Sequence, residues 1–135
     1  MTPKEYLCRY HNILEKIKTK KEYIEFCKER EKSISSPSYD PMPKSPNIDT
    51  DAPFVKWLIR RREAEDELVE LKRQAELIKI ETEKTIMELN NELYEMILIM
   101  RYIEWMTWED ISDRLYFSVA TIKRKHGKAI EALNG

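Results

Sequence analysis

The chain has 135 residues and a formal net charge of −1, with two glycines and 36% charged residues. An average domain is about 7% glycine and about 25% charged, so this composition favours long exposed helices over sheets with tight turns. Phosphate-binding loops and nucleophile elbows need clustered glycines, whereas Gly127 and Gly135 stand apart. Most common enzyme scaffolds are therefore excluded, and we expect no catalytic group, no cofactor and no small-molecule substrate.

Residues 1–33 predict an amphipathic helix. Apolar residues recur there at intervals of three and four between charged ones, at Leu7, Tyr10, Leu14, Ile17 and Ile24. The N-terminus has no apolar signal core, and no apolar run approaches the length of a membrane span. We expect a soluble intracellular protein, without a membrane partner.

The two cysteines, Cys8 and Cys27, lie on this same predicted helix. At 1.5 Å per residue they are roughly 28 Å apart, which forbids a disulfide bond between them. Cys8 and His11 have the spacing of two metal ligands, but no second Cys or His pair completes a tetrahedral site. We therefore expect reduced thiols and no structural metal.

Residues 34–53 predict a linker, because prolines and serines are concentrated there. After Pro53 no further proline occurs and no glycine precedes Gly127, which predicts one helix from Pro53 to about Glu104, with 54–93 as a charged stalk. Its apolar positions approximate a heptad seam. They are Leu58, Leu68, Leu71, Ala75, Ile78, Thr82, Ile86, Leu89, Leu93, Met96 and Met100.

Two interpretations of the seam are open. The linker is long enough for the first helix to fold back antiparallel against the second, and a homodimer would equally cover an exposed stripe. A basic run at Lys56 and 60–62 beside Trp57 is also ambiguous. It has the charge to bind phosphate, but neighbouring acidic residues would equally make it a solvated helix face.

Residues 94–135 predict a helix-turn-helix. Thr107 is a predicted N-cap with Asp110 three residues later, and Ser118 is a second N-cap after a three-residue turn. On the second helix, Ile122 and His126 fall on one face with Ala129 and Leu133, and we expect His126 to be a packing residue rather than a metal ligand. Trp105 and Trp108 are expected in the core.

The opposite face of that helix is typical of a helix inserted into the major groove of DNA. Arg124 has the geometry for a bidentate pair with guanine, lysines suit phosphates, and Gly127 suggests close approach of the helix to DNA. Residues 119–135 carry a net charge of +3. The alternative is a three-helix packing unit whose basic helix is merely solvated. The candidate DNA-binding residues are Ser118, Ala120, Thr121, Lys123, Arg124 and Lys128.

The C-terminal 40 or so residues resemble region 4 of sigma-70-type factors, through Arg101-Tyr102-Ile103, Thr107–Ser112, Leu115–Ser118 and Ala129-Ile130. The whole chain is similar to small phage and prophage regulators of the ArpU/RinA type, among them a family long labelled as a domain of unknown function. That resemblance implies a late-gene activator that binds promoter DNA through the second helix of the motif and acts with RNA polymerase.

Two departures from the sigma pattern are evident. Tyr116 replaces the usual turn glycine, so we expect a non-glycine residue in the left-handed region. Val119 and Ala120 stand where primary sigma factors carry charged residues that contact bases, so the target need not be the bacterial −35 sequence.

The sequence thus predicts an all-α protein, with an antiparallel hairpin of long helices followed by a C-terminal helix-turn-helix. We expect it to bind double-stranded DNA as a homodimer and to regulate transcription, with RNA polymerase as a further partner. Two alternatives are a phage DNA-packaging subunit of the small-terminase kind and a coiled-coil adaptor that binds no DNA.

Overall fold

A computed structural model describes residues 1–35 and 53–134, with the side chains of 34 and 35 left aside. Most of the predicted linker at 34–53 lies outside the described residues. All regular elements in the described part are helical, which confirms the predicted all-α class. None of its helices is long and apolar enough to cross a membrane. The elements are α1 (Pro3–Ser35), α2 (Pro53–Met87), α3 (Glu92–Leu98), a π-helical segment (Ile99–Ile103), α4 (Trp108–Leu115) and α5 (Val119–Asn134).

The chain divides into two compact units, and α1 and α2 each contribute to both. The hairpin unit comprises Lys16–Lys72, and the C-terminal unit comprises Met1–Glu15 together with Arg73–Gly135.

In the hairpin unit, α1 and α2 run antiparallel and are joined by ion pairs and by buried apolar side chains. Lys20 pairs with Glu67, and Glu31 accepts from Arg61 with 2.6 Å between Oε2 and Nε. Arg61 also reaches Glu65 at 2.9 Å. The buried apolar side chains of this unit are Ile17, Ile24, Cys27 and Ala64.

In the C-terminal unit, the start of α1 lies antiparallel to the end of α2. The hydroxyls of Tyr6 and Thr85 are 2.9 Å apart, and Leu7 and Ile86 are fully buried. Leu7 and Ile86 belong to one apolar cluster with Leu98, Tyr102 and Ala129, which joins the first turns of α1 to α5.

The structure supports the hairpin interpretation of the heptad seam. Of the seam residues in the C-terminal unit, Ala75, Thr82 and Ile86 are buried within the chain itself, at 0–5% exposure. Thr82 is a polar member of this seam, and its hydroxyl has no hydrogen-bond partner in the part of the chain that the structure describes. These side chains are therefore not available to a second copy unless the hairpin opens.

The prediction of one continuous helix from Pro53 to Glu104 is wrong. α2 ends at Met87, and Asn90 adopts a left-handed conformation with φ of 53°. Asn91 then caps α3, because its side-chain oxygen accepts from the Tyr94 N–H at 3.1 Å. Asparagine tolerates the left-handed region and is a strong N-cap, so two adjacent asparagines end one helix and start the next. The predicted domain boundary at 94 accordingly falls two residues inside α3.

A π-helical segment, absent from the sequence prediction, follows α3 directly. The Glu104 N–H donates to the Ile99 carbonyl at 3.0 Å, five residues back. This wider turn buries Met100 and Tyr102. Such segments are rare and occur often at functional sites.

Candidate nucleic-acid interface

α4 begins and ends at residues whose side chains or backbone satisfy the helix termini. Thr107 is the N-cap, as predicted, and its hydroxyl accepts from the Asp110 N–H at 3.1 Å. At the other end, Tyr116 has φ of 60° and ψ of 34°, and its N–H donates to the Ser112 carbonyl at 2.9 Å. The predicted left-handed residue in the turn is thus confirmed. The Ser112 hydroxyl donates to the carbonyl of Phe117, which closes the turn.

α5 starts at the second predicted cap. The Ser118 hydroxyl oxygen accepts from the Thr121 N–H at 3.2 Å, and the two hydroxyls lie 2.9 Å apart. α5 is then anchored by Ile122, which is fully buried in a cluster with Ile97, Met100 and Ile111. This cluster draws on α3, the π-helical segment, α4 and α5, so that it fixes the orientation of α5 relative to α4.

His126 is a packing residue, as the sequence analysis predicted. Its Nε2 lies 2.7 Å from the hydroxyl of Tyr102, and the Trp108 ring meets its ring edge-on at 4.8 Å. Burial, with smaller contributions from the charges of Lys4 and Arg101, lowers the pKa of His126 to about 4. Burial likewise raises the pKa of Tyr102 to about 12. Both groups are therefore neutral near pH 7, and the pair stabilises the fold rather than carrying charge.

The six predicted DNA-binding residues divide into two groups. Ser118 and Thr121 hydrogen-bond to each other and cap α5. The remaining four are exposed on the side of α5 away from its buried residues, and these are Ala120, Lys123, Arg124 and Lys128.

The three exposed basic side chains of this face form no ion pair with any other residue that the structure describes. Lys123, Arg124 and Lys128 take part in none of the ion pairs that the described residues form. A guanidinium with its five donors unpaired retains the fork that binds carboxylate, phosphate or guanine.

Gly127 has no structural need to be glycine. It lies inside α5 with a helical φ, and a Cβ placed on it would meet nothing within 4 Å. A helix-interior glycine is destabilising by about 1 kcal/mol relative to alanine, so neither backbone conformation nor internal packing accounts for it.

Several contacts of this region could not be predicted from the sequence. Trp105, expected in the core, is 45% exposed, and its ring stacks on that of His11 with centroids 3.5 Å apart. Arg101 lies over the Trp108 ring at 4.3 Å, and Lys125 lies 5.9 Å from the Phe117 ring. The Arg101–Trp108 and Lys125–Phe117 pairs are close in sequence, but each is interrupted by a change of element, and His11 and Trp105 lie far apart in the sequence.

In the hairpin unit, the basic run near Trp57 is partly engaged. Arg61 is paired with Glu31 and Glu65, and Arg60 donates to the Tyr23 hydroxyl at 3.5 Å. These contacts support the interpretation of the run as a helix face over its phosphate-binding alternative.

Among the described residues, no group of three or more His, Cys, Asp or Glu side chains is placed to hold a metal ion. Cys8 and Cys27 are both free thiols.

Taken together, the fold and this site define an all-helical protein whose terminal helix is anchored on one side and basic on the other. Residues 48–134, more than half of the chain, match the model of a family described as protein of unknown function (DUF1492). The chain belongs to this family, which is commonly phage-associated. No curated protein and no solved structure matches this chain.

Proposed function

We propose that this protein is a sequence-specific DNA-binding regulator of transcription, in which α4, the turn and α5 form a helix-turn-helix. α5 is the recognition helix, and double-stranded DNA is its ligand. The observation that carries the proposal is the exposed face of α5, where Lys123, Arg124 and Lys128 have no ion-pair partner among the described residues.

One side of α5 is buried and the other is exposed, which is the arrangement that binding in a groove requires. Ile122 and Ala129 are fully buried, and His126 is 6% exposed, so the helix is held firmly on the rest of the C-terminal unit. Arg124 and Ala120 project on the other side, where a small residue leaves room for an arginine to reach a base edge. Lysines on either flank are suited to phosphates.

The proposal extends to partners. A single motif of this size contacts few base pairs, so we propose a homodimer that binds two half-sites. Because Ala75, Thr82 and Ile86 are buried within the chain, such a dimer requires other surfaces. The family's phage association and the resemblance to sigma region 4 support a phage-encoded late-gene activator that acts with host RNA polymerase in the bacterial cytoplasm.

The test is a titration of the full chain with duplexes selected from random DNA. Arg124→Ala should weaken binding to the selected duplex by about 1–3 kcal/mol and relax preference at one base pair. Lys128→Ala should weaken binding to all duplexes and reduce the salt slope by about 1.

Arg62→Ala is the matched control, because Arg62 is an exposed arginine on α2. We expect its affinity to equal that of the wild type. Equal affinities for the wild type and Arg124→Ala would contradict the assignment of α5 as recognition helix. Large ring-shaped oligomers in light scattering would favour the packaging alternative, and absence of any salt-dependent DNA affinity would favour the adaptor.

A further inference from the structure

Tyr116 combines an unfavourable backbone conformation with an almost completely exposed ring. Its φ of 60° lies in the left-handed region, where a bulky residue is a true outlier, and its side chain is 93% exposed. Trp105 shares a positive φ, but its ring stacks on His11. Tyr116 has no comparable ring contact among the described residues, so no packing of its side chain offsets the strain.

The turn itself does not require an aromatic residue. Its conformation serves the hydrogen bond from the Tyr116 N–H to the Ser112 carbonyl, a contact that uses backbone atoms only. Glycine or asparagine adopts that conformation at lower cost. Strain of this kind, when packing does not explain it, is often found at binding sites.

The charges around the turn favour an anion. Lys125 reaches back toward the turn, with its ammonium 5.9 Å from the Phe117 ring, and Arg114 is exposed in the last turn of α4. Neither forms an ion pair with another described residue. Between Asp110 and Glu131 the sequence contains one acidic residue, Asp113, which lies three positions before Tyr116.

We propose that the Tyr116 hydroxyl donates a hydrogen bond to a phosphate oxygen of bound DNA, and that Lys125 supplies positive charge beside it. This inference rests on the proposed function. Recognition helices contact bases with their N-terminal residues, which brings the preceding turn close to the sugar-phosphate backbone. Tyr116 stands two residues before Ser118, the cap of α5, and so lies in the turn that leads into the proposed recognition helix. Tyrosine is among the side chains that commonly bind phosphate.

Two substitutions at Tyr116 test the effect of its hydroxyl and the effect of its backbone strain separately. Tyr116→Phe removes the hydroxyl but keeps the ring and the left-handed backbone. Tyr116→Asn removes the ring and relieves the strain. We expect Tyr116→Phe to weaken binding about fivefold on selected and unrelated duplexes alike, because phosphate contacts carry no sequence information. Tyr116→Asn should weaken binding at least as much while raising the melting temperature of the free protein.

The chemical readout is ethylation interference on the selected duplex. With wild-type protein, ethylation of one backbone phosphate flanking the groove should reduce binding, and with Tyr116→Phe the same modification should have little further effect. Lys125→Gln should lower the salt slope by about 1, whereas Tyr116→Phe should leave the slope unchanged because tyrosine is neutral. Tyr10→Phe, on α1, is the matched control and should bind as the wild type does.

The outcomes distinguish failure of this inference from failure of the proposed function on which it rests. If the wild type binds DNA and both Tyr116 variants bind as tightly as the wild type, the phosphate contact is overturned and the proposed function stands. If Tyr116→Asn keeps full DNA affinity but loses binding to RNA polymerase, Tyr116 is a protein contact and the inference is again overturned. If the wild type shows no salt-dependent DNA affinity, both fail.

Discussion

The basic run of the hairpin unit and the basic face of α5 differ in how far their charges are paired within the protein. In the hairpin unit, two arginines of the run are engaged, since Arg61 binds Glu31 and Glu65 and Arg60 binds Tyr23. In the C-terminal unit, Lys123, Arg124 and Lys128 form no ion pair with other described residues. A cluster of basic residues in the sequence therefore does not show which of its charges stay unpaired in the fold.

The physical reason lies in what else stabilises each unit. The largest fully buried aliphatic side chains all belong to the C-terminal unit, among them Ile97, Leu98, Ile111 and Ile122. Burial of large apolar side chains contributes more to stability than surface ion pairs do. The helices of this unit therefore do not depend on ion pairs of Lys123, Arg124 and Lys128, whose charges remain available to contact another molecule.

The largest expected effect tests the core of the C-terminal unit. Ile122→Ala should reduce the free energy of unfolding by about 2–5 kcal/mol, because it leaves a cavity in a fully buried cluster. Urea unfolding followed by circular dichroism measures this loss. Ile80→Ala is the control, because Ile80 is 54% exposed and its truncation should change stability by less than about 0.5 kcal/mol. Equal losses from both would contradict the contrast between the core and the exposed side of α2.

The next effect depends on pH. Since the pKa of His126 is lowered to about 4 in the fold, the unfolded chain binds a proton below about pH 6.5 that the folded chain refuses until about pH 4. Stability from this group is therefore complete above pH 6.5 and falls as the pH is lowered toward 4. The loss should approach about 3 kcal/mol.

Urea titrations of wild type and His126→Gln across this range measure the His126 contribution as a difference, because other titrating groups are common to both proteins. Glutamine retains a hydrogen-bonding group for Tyr102. Parallel stability curves for the two proteins would show that burial of His126 has no such consequence.

A smaller effect concerns Gly127. Gly127→Ala should raise the free energy of unfolding by about 1 kcal/mol, since alanine is the better helix former and its Cβ meets no atom within 4 Å. The same substitution should weaken DNA binding if α5 approaches the duplex closely there. Thermal melts and DNA titrations give the two values, and a variant that gains in both would argue against close approach.

The smallest effect tests the ion pairs of the hairpin unit. Arg61→Ala should lower the free energy of unfolding much less than Ile122→Ala does, because ion pairs that water can reach contribute little to stability. High salt should reduce the difference between this variant and the wild type. Arg62→Ala serves as the control and should be near neutral. A loss for Arg61→Ala as large as that for Ile122→Ala would contradict the difference in stabilisation between the two units.

Local features of the fold were predictable because their determinants lie within a few residues of one another. The Thr107 and Ser118 caps, the left-handed Tyr116 and the buried face of α5 each depend on spacing along one turn or one helix. The Asn90-Asn91 break was missed although its signal is equally local. The apolar periodicity of the long segment continues across the two asparagines, and no proline or glycine marks the end of α2.

Amphipathic periodicity and capping therefore determined the all-helical class, the position of α4 and α5 and the basic face of α5. The burial of the seam within the chain and the contact of Tyr102 with His126 are evident only in the tertiary structure. The same is true of Trp105, which stacks on His11 rather than entering the core. These contacts join residues distant in sequence, and an amphipathic stripe specifies that it needs a partner without specifying which one. Likewise, a charge is free or paired according to which neighbours the fold brings within reach.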